Sequence, residues 1–207
     1  MAVHEHAGQQ RGFHPASWTK AFAGRVSDTA AATADAAIVA KSLAVVRIAT
    51  GFIFLWAFFD KTFGWHYATG SGKGWIDGGS PTKGFLSGVA AGPFQSAFHN
   101  IAGDTWTDWL FMLALLGIGL ALISGIALRL TAAAGTLLMA MMWAAEWPLA
   151  QHLSTGDPSG SSNPFVDYHV IYALVMIALA VAYAGNTWGL GRIWAKLPFV
   201  RRSRWFL

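Results

Sequence analysis

Apolar residues along this chain gather into four long blocks that carry few charges and show no period-two alternation. Residues 43–64 read LAVVRIATGFIFLWAFFDKTFG, and residues 109–128 hold no charge at all. Residues 130–149 hold only Glu146, near the end, and residues 168–185 hold only His169, near the start. About twenty apolar residues of helix span a hydrocarbon core of roughly 30 Å. Inside lipid the backbone must satisfy its own hydrogen bonds, and runs without alternation read as helices rather than barrel strands. The pattern predicts an all-α, polytopic membrane protein: a bundle of four transmembrane helices near residues 39–62, 107–128, 130–150 and 167–186.

Charge then orients the bundle. Ten of the fourteen Lys and Arg residues flank one side: Arg11, Lys20, Arg25 and Lys41 before the first span, Arg129 in a tight turn, and Arg192, Lys196, Arg201, Arg202 and Arg204 after the last. The opposite side has Lys61, Lys73 and Lys83, together with seven of the ten acids. Basic excess marks the cytoplasmic face, so both termini are expected in the cytoplasm of a prokaryotic cell, with the chain multi-pass in the plasma membrane. Residues 1–37 read as a polar tail with a helical lead-in near 30–40, residues 38–194 as the membrane domain, and residues 195–207 as a basic tail.

Composition adds exclusions. A pI near 9.6 comes from topology signals rather than a basic-aromatic surface, so nucleic acid is not an expected partner. The terminal RRSRWFL suits anionic headgroups at the inner surface of the lipid bilayer. With no cysteine, disulfides, thiol relays and Cys-ligated metals are ruled out. No cleavable signal pattern opens the chain.

Small residues recur at four-residue spacing: Gly117, Ala121 and Gly125 in the second span, and Ala132, Thr136, Ala140 and Ala144 in the third. Such stripes let membrane helices approach closely. Between the first two spans, residues 62–108 form a long outer loop dense in glycine and aromatics. Its GSGKG and GGSPTKG segments do not fit the phosphate-loop spacing. Two amphipathic pieces, 84–91 and 94–102, are expected within it, with Trp65, Trp75, Phe85, Phe94 and Trp106 as interfacial anchors.

Depth concentrates the candidate chemistry. Asp60 and Lys61 close the first span on the outer side, Trp143 and Glu146 close the third there, and His169 and Tyr172 open the fourth there. Asp60, Glu146 and His169 are therefore expected to converge under the loop, where carboxylates and an imidazole could exchange protons with a small polar or quinone headgroup. Lys61 could draw in an anionic donor, and Tyr172 and Trp143 would line the apolar part of the pocket. The competing reading is an interfacial hydrogen-bond network that only joins helices. Arg47, inside the first span, either snorkels to the inner headgroups or points into the bundle beside Gly51, where it could also meet substrate. A haem needs facing histidines and only His169 lies in a span. His66, His99 and His152, with Asp157 and Asp167, show no ligand spacing, and His4 and His6 lie in the tail. No bound metal, haem or flavin is expected.

The runs VVRIATGFIFLWAFFDKTFG, GWIDGGSPTKGFL, DWLFMLALLGIGLALISGIALRL and NPFVDYHVIYALVMIALAVAYAGNTWGLGRIW resemble the DoxX/DoxD family of small prokaryotic four-helix membrane proteins. They look most like the large, DoxD-like subunit of thiosulfate dehydrogenase (quinone). The resemblance covers residues 43–194 and leaves out both tails. It implies electrons passing from thiosulfate to membrane quinone, giving tetrathionate, and a second small subunit as partner. It carries no agreed catalytic residues. Two readings follow: a quinone-linked oxidoreductase subunit, or a non-catalytic membrane scaffold that anchors a redox or stress-response partner. The sequence is compatible with a homo-oligomer.

Overall fold

The computed structural model describes residues 15–206, with the backbone alone over residues 15–30 and at Arg204. The part of the tail holding His4, His6 and Arg11, and the last residue, Leu207, lie outside the described residues. The chain divides into two units, one up to Val39 and one from Ala40 onward. In the first unit the described backbone is helical, so the expected lead-in begins well before residue 30. The second unit holds everything argued below.

Among the described residues the protein is helical and has no β-strand, only an isolated bridge between His152 and Pro158. The elements run α1 (Pro15–Phe63), α2 (Lys83–Ser87), α3 (Gln95–Asn100), α4 (Thr105–Ser124), α5 (Leu128–Glu146), α6 (Tyr168–Val181), α7 (Gly191–Trp194) and α8 (Pro198–Arg202). Three helical stretches are long and apolar enough to cross a membrane: Ala31–Phe63, Thr105–Ser124 and Leu128–Glu146. The fourth apolar run forms a helix of only 14 residues, about 21 Å at 1.5 Å per residue. Of the two short helices, α3 falls within the expected piece 94–102 and α2 overlaps the expected piece 84–91, starting one residue before it.

Helix ends follow local chemistry more closely than hydropathy does. Gly125, at φ 73°, caps α4. Its N–H and that of Ile126 both bond to the Ala121 carbonyl, at 2.8 and 3.1 Å. A left-handed Gly is the usual way to stop a helix. The turn is therefore Gly125–Ala127, and Arg129, expected in the turn itself, sits in the first turn of α5 and donates to the Tyr183 hydroxyl at 2.7 Å. At the other end α5 stops at Glu146 instead of running to residue 150. Trp147 turns left-handed (φ 42°), and the residue after it is Pro148, which has no N–H to continue a helix.

The core gathers Phe54, Met112, Leu115, Ile118, Leu122, Leu138, Met139, Met176 and Leu179, all at most 5 % exposed. Along α5 the buried positions are Leu128, Thr131, Ala132, Gly135, Leu138, Met139 and Ala145, the three- and four-residue rhythm of one helical face. Close approaches occur at glycines, though not at all of those expected. A Cβ on Gly51 would lie 2.8 Å from Leu122 Cβ, and one on Gly119 would lie 2.9 Å from the Leu55 amide nitrogen. Gly117, placed by the spacing rule on the packing stripe, has nothing within 4 Å, and Ala140 is exposed. A strict four-residue repeat drifts off a 3.6-residue helix, so the stripe leaves the contact face.

Candidate functional site

The strongest concentration of titratable groups lies where α5 ends and α6 begins. Asp167 is the N-cap of α6: its Oδ1 accepts from the amides of His169 (3.0 Å) and Val170 (3.1 Å). Four residues earlier the chain is already turned by Asn163, whose Oδ1 accepts from Phe165 N (2.9 Å) and Val166 N (3.0 Å). The NPFVDYH block thus encodes an Asn turn followed by an Asp cap, two local bonds that this residue pair makes well. The outcome is that His169 enters α6 with its ring fixed.

His169 is 1 % exposed. Its Nδ1 lies 2.8 Å from Asp167 Oδ2 and 3.9 Å from Glu146 Oε2. A contact of 2.8 Å to a carboxylate requires the proton on Nδ1. Nε2 is buried with no hydrogen-bond partner among the described residues, and in the neutral ring it is the nitrogen without the proton. Tyr168 donates its hydroxyl to Glu146 Oε1 at 2.6 Å. Glu146 keeps 36 % of its side chain exposed while Asp167 keeps 15 %. Two hydrogen-bonded pairs, Tyr168–Glu146 and His169–Asp167, therefore stand side by side, with 3.9 Å between Glu146 Oε2 and His169 Nδ1. Ligand atoms of Glu146, Asp167 and His169 also lie within 4.8 Å of one another.

Of the expected residues, Glu146 and His169 meet. Asp60 does not join them. Although it is 1 % exposed, its two oxygens accept from the amides of Tyr67 (3.2 Å) and Ala68 (3.0 Å), which folds the chain back just beyond α1. Trp143 donates Nε1 to the Phe165 carbonyl at 3.2 Å and so holds the segment entering α6. Tyr172 is half-buried, edge-on to Phe54 at 6.3 Å and to Tyr168 at 6.1 Å. Lys61 stands apart, its Nζ 6.0 Å from the centroid of the Phe111 ring, beside a cavity between α4 and α5.

Arg47 does not snorkel. Fully buried, it donates from Nη1 to the Leu122 carbonyl and to that of Ile123 at 2.8 Å. Nη2 donates to the carbonyls of Thr187 (3.3 Å) and Trp188 (2.8 Å). The first two belong to the last turn of α4, where carbonyls have no helical partner and a cation is favoured. The side chain is occupied by backbone, which leaves a substrate little of it to bind.

Three residues in these networks were given no role by sequence reasoning. Asp167 and Tyr168 belong to the cluster, and the N-cap position of an Asp ahead of an apolar run was the available signal. Asp108, 6 % exposed, accepts at Oδ1 from Ser80 Oγ (2.9 Å), Thr82 N (3.0 Å) and Thr82 Oγ1 (2.5 Å). It ties the GGSPTKG segment to α4, which gives those glycines a structural explanation.

No protein-family model, curated protein or solved structure matches this chain. The resemblance drawn from the sequence patterns therefore enters only as a proposal.

Proposed function

We propose that this chain is a membrane subunit of a quinone-linked oxidoreductase, crossing the membrane four times with both termini in the cytoplasm, and that thiosulfate is its electron donor. The observation that carries the oxidoreductase reading is the Tyr168–Glu146 hydrogen bond set beside the His169–Asp167 pair, 3.9 Å apart. Reducing a quinone to its quinol takes two electrons and two protons. Oxidising two thiosulfates to one tetrathionate forms the S–S bond and supplies the electrons, so the protons must come through the protein or from water. Glu146 faces the surface and can exchange protons with it; His169 holds a free basic nitrogen inside. Proton transfer by groups so placed contributes about a hundredfold or more to such a step. Thiosulfate and a small partner subunit rest on the DoxX/DoxD resemblance alone.

The four-span reading rests on the apolar run of α6 and on the ten-to-three basic asymmetry. Quinone reduction by the purified chain on adding thiosulfate, with and without copurifying subunits, tests the proposal. Turnover that needs thiosulfate and the chain supports it. Turnover that persists when the chain is removed from its copurifying proteins would leave this chain as their anchor. That scaffold reading has its own supporting observation, since Arg47 and Asp60, the two fully buried charges among the described residues of α1, serve backbone groups.

A further inference from the structure

Between α4 and α5, flanked by the segment that carries α2 and α3, lies a cavity of about 340 Å³. This is within the range of small-molecule sites, which are mostly apolar with a few placed polar groups. Its wall includes Phe85, Phe98, Leu110, Phe111 and Met141, and the one charged residue on it is Lys61. Several wall residues also form the outer surface: Leu110 is 57 % exposed, Leu137 63 % and Trp106 57 %. The mouth is thus as apolar as the interior. Cavities with such walls exclude water and accept apolar molecules.

Lys61 is what sets this cavity apart from a packing defect. Its ammonium carries three donors, yet its contact among the described residues is the edge of range of the Phe111 ring, at 6.0 Å. No hydrogen bond or ion pair joins it to a described residue. The neighbouring Asp60 carboxylate acts on Lys61 through its charge but makes no ion-pair contact with it, its oxygens accepting instead from the Tyr67 and Ala68 amides. Asp60 offsets part of the charge, but three ammonium donors without an acceptor in reach remain costly in a region of low dielectric. An anionic oxygen entering the cavity would remove that cost.

We propose that the cavity binds a single-chain anionic amphiphile of the fatty-carboxylate class, taken from the lipid phase. The hydrocarbon chain lies along the α4–α5 walls and the carboxylate meets Lys61. The apolar mouth selects a ligand dissolved in lipid over one in water, and the unpaired ammonium selects an anion over a neutral lipid. This site is separate from the Glu146–His169 cluster and stands whether or not that cluster handles protons for a quinone.

The test is competition binding on the full chain in nanodiscs of zwitterionic lipid, with a pyrene-labelled long-chain carboxylate as probe and tryptophan-to-pyrene energy transfer as readout. Hexadecanoate should displace the probe about tenfold better than hexadecanol, the effect of one charge-assisted hydrogen bond. Lys61→Met should remove that preference by weakening hexadecanoate alone, and Lys61→Arg should keep it. Ala134→Trp, which puts an indole into the cavity, should abolish displaceable binding of both. Equal affinity of the wild type for acid and alcohol would overturn the proposal, as would an unchanged preference in Lys61→Met. Displacement by a short-chain quinone but not by hexadecanoate would overturn it too and give the cavity to the quinone.

Discussion

Arg47 and Ile123, 76 positions apart in sequence, are joined by a guanidinium-to-carbonyl hydrogen bond of 2.8 Å. That bond and its three companions mean that one side chain of α1 closes the end of α4 and pins the strand-like turn after α6. A charged residue inside an apolar run is costly unless its partners are built in. Here the partners are four main-chain carbonyls, groups that would otherwise be unsatisfied.

Replacing Arg47 should therefore cost stability more than activity. Arg47→Met keeps much of the apolar stem but leaves four carbonyls without a donor. Each such loss costs roughly 1–3 kcal/mol, though water at the helix end will recover part of it. A total of about 3–5 kcal/mol is expected, read as a lower midpoint in thermal unfolding of the protein in detergent. Arg47→Lys, which offers a point charge in place of a planar fork, should recover less than half. A wild-type midpoint in Arg47→Met would show that the carbonyls are satisfied without it.

The glycines give a paired prediction. Gly51→Ala sets a methyl group 2.8 Å from Leu122 Cβ and 2.9 Å from the Ile123 amide nitrogen, so α1 and α4 must separate. Overpacking of this kind costs about 1–3 kcal/mol. Gly117→Ala meets nothing within 4 Å and should be neutral, or stabilising by up to about 1 kcal/mol from helix propensity. Thermal unfolding of the two variants side by side decides it. Equal effects would mean that α1 and α4 are not this close.

Asp108 makes a prediction for the long connection. Asp108→Asn keeps the size of the side chain, yet it weakens acceptance from the Thr82 amide and from two hydroxyls. The segment around Ser80–Lys83 should then open more often, and Lys83 should become a faster tryptic site, by about tenfold if one charge-assisted bond of roughly 1.4 kcal/mol is lost. An unchanged cleavage rate would show that the segment is held by packing alone.

How far the sequence could be read depends on which force acts. The helices were legible because apolar runs of this length have few alternatives. Their ends were not, since Gly125 and the Trp147–Pro148 pair override hydropathy with backbone geometry. Glu146 and His169 were expected at one depth and do meet, because both positions follow from counting along helices. Asp60 was expected beside them for the same reason and turns instead to the Tyr67 and Ala68 amides. Depth fixes height along a helix but not direction around it. Arg47 illustrates the same point: its burial depended on where α4 ended, seventy-five residues away. Asp167 was legible as an outer-side acid at the start of the fourth span and Asp108 as one before the second, and only their local partners show what they hold.

The last prediction concerns the cluster. Glu146→Gln preserves shape and can still accept from Tyr168, but it no longer carries a proton to exchange. His169→Phe keeps an aromatic ring in the buried site and removes both nitrogens, including the free Nε2. Each should lower quinone turnover by roughly a hundredfold, the lower end of what acid–base groups contribute, with the protein still inserted. Asp167→Asn separates orientation from proton transfer. Its amide oxygen can still cap α6, at a cost of a few tenths of a kcal/mol to about 1 kcal/mol, but the charged acceptor for His169 Nδ1–H is gone. Its loss of turnover should be smaller than that of His169→Phe, because the ring keeps both nitrogens and loses only the carboxylate that orients it. Activity is to be measured together with thermal unfolding, so that a folding defect is not read as a chemical one. Stable Glu146→Gln and His169→Phe proteins with full turnover would make the cluster a helix-joining network and favour the anchoring role for this chain.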